Sequence, residues 1–67
     1  MNKQKLRAEL YKNGHTYKTI SEKLDITENA FWRKINGLND FTLPEIQFLS
    51  RELRFSKEEL IDIFFNN

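Results

Sequence analysis

Apolar residues recur along this chain at three- and four-residue intervals, broken by short polar stretches, and nowhere alternate with period two. That spacing predicts helices and no strand. Leu6 and Leu10, spaced i, i+4, predict a first helix over about Lys3–Asn13, with Gly14 suited to the left-handed residue that follows it. Thr16 is a good N-cap for a second helix over about Tyr17–Leu24, which buries Ile20 and Leu24. Asp25-Ile26 reads as a turn, and Thr27 caps a third helix running to about Asn36. Glu28 lies in its first turn, where the helix dipole favours an acid, and Ala30, Phe31 and Ile35 point inward. Gly37 ends it and "GLNDF" is a loop. Thr42 with Glu45 makes a capping box for a fourth helix, about Leu43–Leu53, with Pro44 in the first turn and Ile46, Leu49 and Leu53 buried. After a short turn at Arg54-Phe55, Ser56 with Glu59 opens a fifth helix through about Phe64, burying Leu60, Ile63 and Phe64. The prediction is an all-α fold: one domain over residues 1–67, built as a compact bundle of about five short helices.

Length and composition narrow the chemistry. A chain of 67 residues buries only ~60% of its unfolded surface, so the core must be small. It has no cysteine and one histidine, His15, so neither a disulfide nor a zinc site is expected. No catalytic constellation is visible, so no enzyme and no cofactor are expected. No apolar run approaches the ~18 residues of a membrane span, and "MNKQKLRAEL" has no apolar core of a secretory signal. A soluble, cytoplasmic protein is therefore expected. Net charge is only +1 but unevenly spread: residues 1–37 carry eight Lys/Arg against four Asp/Glu, net +4, and residues 38–67 carry three against six, net −3. Such a basic half is the electrostatic footprint of a phosphate-facing surface, although solvated helix faces can show the same imbalance by chance.

The basic half contains residues 16–37, "TYKTISEKLDITENAFWRKING". Two helices separated by so short a turn can form a helix-turn-helix, in which the first lies over the phosphate backbone and the second enters the major groove. Ser21 is a small residue for the helix crossing, Asp25 tolerates the left-handed turn position, and Ile26 is the apolar residue after the turn. Phe31 and Ile35 tie the second helix to the core, which leaves Thr27, Glu28, Asn29, Trp32, Arg33 and Asn36 facing or flanking the outward side. Asn29 can pair with adenine, Arg33 with guanine, and Glu28 can accept from the cytosine amino group. Thr16, Tyr17, Lys18 and Asn36 suit phosphate oxygens at the helix ends.

These residues resemble the lambda-type phage repressor and Cro helix-turn-helix family, also called the Xre family. The stretch is similar to its pattern T-x-x-x-[LI]-[AS]-x-x-[LV]-G-[IV]-[ST] closing in N-G, matched at Thr16, Ile20, Ser21, Leu24, Ile26, Thr27 and Asn36-Gly37, with Asp25 in place of the turn glycine. "DFTLPEIQFLSREL" and "SKEELIDIFF" resemble a subgroup of short phage and prophage regulators. The resemblance implies a lambda repressor-like DNA-binding domain, a double-stranded operator as partner, frequent dimers, no cofactor and no catalysis. The family also includes antirepressors that grip another regulator protein, which is the alternative function.

Some side chains also admit a second reading or lie outside that scheme. Trp32 packs on the loop or fourth helix, or touches DNA or a partner protein, and Lys34 is a DNA contact or a packing residue. Tyr11 and Tyr17 are expected to pack their rings, and His15 to sit in a loop with no catalytic role. Ile61 and Phe65, spaced i, i+4 but off the buried face of the fifth helix, form a second apolar ridge that suits a homodimer interface.

Overall fold

In the computed structural model, which describes residues 1–66, five helices follow one another: α1 (Lys3–Lys12), α2 (Tyr17–Lys23), α3 (Glu28–Ile35), α4 (Leu43–Glu52) and α5 (Lys57–Phe64). The described residues contain no strand, and no helix among them is long and apolar enough to cross a membrane. Each start is set by a local hydrogen bond. Thr16, Thr27, Thr42 and Ser56 accept with their side chains from the N–H three residues on. Glu45 and Glu59 reach back to Thr42 and Ser56, completing two capping boxes, and Thr19 does the same for Thr16. The start of α1 is made by Asn2, whose Oδ1 accepts from the Lys5 N–H at 3.1 Å. Asn2 also donates its own N–H to the Ile63 carbonyl, which pins the chain's first residues to α5.

The first four helices all end in the same way. The N–H of the residue after the C-cap bonds back to the third residue before it, and the next N–H to the fifth residue before it: Gly14 to Tyr11 and His15 to Leu10, Asp25 to Glu22 and Ile26 to Ser21, Gly37 to Lys34 and Leu38 to Arg33, Arg54 to Arg51 and Phe55 to Ser50. This is the Schellman arrangement, and it needs a left-handed residue. Gly14 and Gly37 supply it at φ 78°, and Asp25 and Arg54 adopt it at φ 58° and 56° despite their side chains.

The core is Leu6, Leu10, Ile20, Phe31, Ile35, Leu49, Leu53 and Ile63, one or two residues from every helix. A run of aromatic rings threads it: Tyr17 to Phe31 at 5.4 Å, Phe31 to Phe41 at 5.7 Å, Phe41 to Phe64 at 5.7 Å, and Phe64 to Phe55 at 6.5 Å. Phe41 comes from the aperiodic loop after α3, which is why helical spacing did not mark it as a core residue. Leu24, Ala30, Ile46, Leu60 and Phe64, expected inward, are only half-buried. Tyr11 departs from expectation altogether: it is 60% exposed, because it follows Leu10 by one residue and so lies about 100° round α1 from the buried face. His15 lies in the α1–α2 loop, as expected, and is buried there.

Candidate nucleic-acid interface

Helices α2 and α3 pack directly on one another, with Ser21 almost wholly buried and its hydroxyl donating to the Lys18 carbonyl at 2.8 Å. The α2–α3 connection is only Leu24–Thr27, and Asp25 takes the left-handed turn. With Phe31 and Ile35 fully buried, successive α3 residues rotate by about 100°, which places Arg33 directly opposite the core, Asn29 about 40° to one side of it, and Trp32 and then Glu28 further round on that same side. Thr27, Glu28, Asn29, Trp32 and Arg33 are all exposed, as are Thr16 and Lys18 at α2. The side chains of Lys18, Glu28, Asn29, Trp32 and Arg33 make no hydrogen bond or ion pair among the described residues. Thr16 and Thr27 accept from backbone N–H groups as caps; the Thr16 hydroxyl also donates to the Thr19 hydroxyl at 3.4 Å, whereas the Thr27 hydroxyl hydrogen has no acceptor among the described residues.

Other residues singled out in the sequence are committed to the fold. Lys34 turns inward: its ammonium lies 2.5 and 2.6 Å from the two Glu45 oxygens, with both side chains about seven-eighths buried. It is a packing residue that ties α3 to α4. Burial works to raise the Glu45 carboxyl, but the Lys34 ammonium and the Thr42 N–H outweigh it and hold the group below its ordinary value. Asn36 is half-buried, accepting from the Lys3 ammonium and donating to the Trp32 carbonyl at 2.8 Å. Tyr17 is half-buried with its ring edge-on to Phe31. Ile61 and Phe65 stay 48% and 60% exposed, with Leu43 of α4 also 61% exposed.

The uneven charge of the sequence is partly consumed by these contacts. Carboxylates of the acidic half sit on ammonium groups of the basic half: Glu45 on Lys34, Asp62 on Lys5 at 2.8 Å, and Glu52 on Lys23 at 2.9 Å. Glu52 also lies 3.4 Å from the buried His15 ring, whose other nitrogen is 3.4 Å from the Thr19 hydroxyl. The Lys23 hydrogen bond and charge pull the Glu52 carboxyl below its usual range. His15 thus joins the α1–α2 loop to α2 and α4, a role the sequence reading missed. The available signal was its place just after Gly14, where the Schellman arrangement turns a side chain back onto the helix. What survives near α3 for an outside partner is Lys18, Arg33 and the neutral Asn29 and Trp32, against Glu28 on α3 itself and the exposed Glu22 and Asp25 on α2 and the turn.

No protein-family model, curated protein or solved structure matches this chain.

Proposed function

We propose that the protein is a sequence-specific DNA-binding regulator of the phage repressor or Cro type, acting in the cytoplasm, binding rather than catalysing and needing no cofactor. The observation that carries this reading is the uncommitted outer face of α3. Around it Lys3, Lys23 and Lys34 are bonded within the fold, whereas Lys18, Asn29, Trp32 and Arg33 are exposed and without a partner among the described residues. In this reading α3 enters the major groove with Thr27, Glu28, Asn29 and Arg33 toward base edges, and Thr16 and Lys18 lie near phosphates, while Tyr17 and Asn36, engaged with Phe31, Lys3 and Trp32, support the interface from within the fold. Two copies joined through the Ile61–Phe65 ridge would hold two α3 helices for half-sites about one DNA turn, ~34–36 Å, apart.

A second reading, a module that grips another regulator, draws on the exposed apolar side chains Leu43, Ile61 and Phe65 of α4, α5 and the residue after it. Titration against a random-site DNA pool, at two salt concentrations, separates the two. The DNA reading expects one enriched sequence and an affinity that falls with salt. A pool that emerges unenriched removes it and leaves the protein-binding module.

A further inference from the structure

The side of α3 that carries Glu28 and Trp32 turns toward the start of α2. There Tyr17, Glu28, Asn29 and Trp32 line a shallow hollow of about 430 Å³. Its walls decide what can enter. It contains no cationic side chain, and Glu28 repels phosphate, so the hollow is unsuited to the DNA backbone. Trp32 is 47% exposed and presents an apolar ring surface that nothing in the described fold covers. Tyr17 is held by its edge-on contact with the buried Phe31, so this wall does not collapse onto the indole. The complement of two rings beside a carboxylate is an apolar group next to a hydrogen-bond donor. On the major-groove edge of a duplex the apolar group is the 5-methyl group of thymine; the donors are the amino groups of cytosine and adenine, and the acceptor N7 beside the adenine amino group repels a carboxylate, which favours cytosine and so a second pyrimidine.

We propose, resting on the DNA reading above, that Trp32 takes a thymine 5-methyl group in this hollow while Glu28 accepts from the amino group of a neighbouring cytosine. Specificity on this side of α3 then comes from an apolar contact and an acceptor, and on the outermost face from the Arg33 guanidinium. Trp32 and Glu28 stand i, i+4, so they lie one above the other along the groove, matching two pyrimidines in succession on one strand.

The experiment starts from the operator selected out of a random duplex pool and replaces each thymine singly by deoxyuridine, which removes one methyl group and nothing else. The wild-type protein should bind one such duplex roughly fourfold more weakly, the value of one buried methyl-sized group. Trp32→Ala should bind the thymine and uracil duplexes equally at that position, and Trp32→Phe, which keeps a ring, should retain the preference. Uracil tolerated at every thymine overturns the methyl contact while leaving the DNA reading intact. So does a penalty that persists in Trp32→Ala. A pool with no selected sequence overturns the DNA reading and this inference with it.

Discussion

Removing the charge of Glu45 tests how the bundle holds α3 against α4. Glu45 does two things at once. Its Oε1 accepts from the Thr42 N–H at 2.8 Å as the reach-back half of a capping box, and both its oxygens bind the Lys34 ammonium. Glu45→Gln keeps an oxygen for the cap but leaves the Lys34 ammonium, 14% exposed, without a counter-charge. Breaking one partner of a fully buried pair costs about 3–5 kcal/mol, and an exposed pair is worth ~0–1 kcal/mol. Lys34 has a flexible stem that can swing toward water, so the expected loss is about 1.5–3 kcal/mol at neutral pH. Glu45→Ala also deletes the reach-back bond and should lose roughly a further 0.5–1 kcal/mol. In a domain of this size each kcal/mol moves the melting midpoint by roughly 4–8 °C, so the effect is well within calorimetric reach.

The pH dependence checks the cause. The folded-state pKa of Glu45 is lowered, so the pair's contribution is fully present above the ordinary glutamate value near ~4.3 and is lost as pH falls through the lower folded value. Urea unfolding of wild type and Glu45→Gln should therefore differ at pH 7 and converge once the pH falls below the lowered folded-state value of Glu45. A penalty under about 0.5 kcal/mol at pH 7 would place the pair in the class of surface ion pairs. An equal penalty at both pH values would mean that packing or capping, and not charge, is what the substitution removes.

Three further outcomes are expected. Asp25→Gly and Arg54→Gly should leave stability unchanged or raise it by up to about 1 kcal/mol on chemical denaturation, since both residues hold left-handed φ; a clear loss at either would show that its side chain contributes more than the strain costs. On the selected operator, Arg33→Ala should lose about 1–3 kcal/mol and relax preference at one base pair, whereas Lys18→Ala should weaken all sequences alike and flatten the salt slope; equal, sequence-independent losses from both would end the base-reading role of Arg33. In sedimentation, wild type should dimerise at micromolar concentration and an Ile61→Asp, Phe65→Asp double variant should not; a monomeric wild type removes the homodimer, and a variant that still dimerises moves the interface elsewhere.

The sequence by itself determined what local chemistry governs. Helix starts were legible at Thr16, Thr27, Thr42 and Ser56 because a cap is a hydrogen bond to the N–H three residues away. Core residues such as Leu6, Leu10, Phe31 and Ile35 were legible because burial on a helix recurs every three to four residues. The Asp25 turn was legible from the shortness of the gap between α2 and α3. So was the outward side of α3, since placing Phe31 and Ile35 inward leaves Asn29 and Arg33 outside.

Only the tertiary structure decided which charges remain available. Lys34 and Glu45 are 11 residues apart, Lys23 and Glu52 are 29 apart, and Lys5 and Asp62 are 57 apart. No local pattern couples residues at such separations; they meet because the packed helices bring their surfaces together. The same reason hid Asn2, which caps α1 while holding on to Ile63, and His15, buried against Glu52. It hid Phe41 as well, since a loop residue enters a core by where the chain is carried and not by any period in its sequence. A basic half-chain was visible from composition. That its lysines at positions 5, 23 and 34 are neutralised in place, while Lys18 and Arg33 are not, follows from which carboxylates the fold sets beside them.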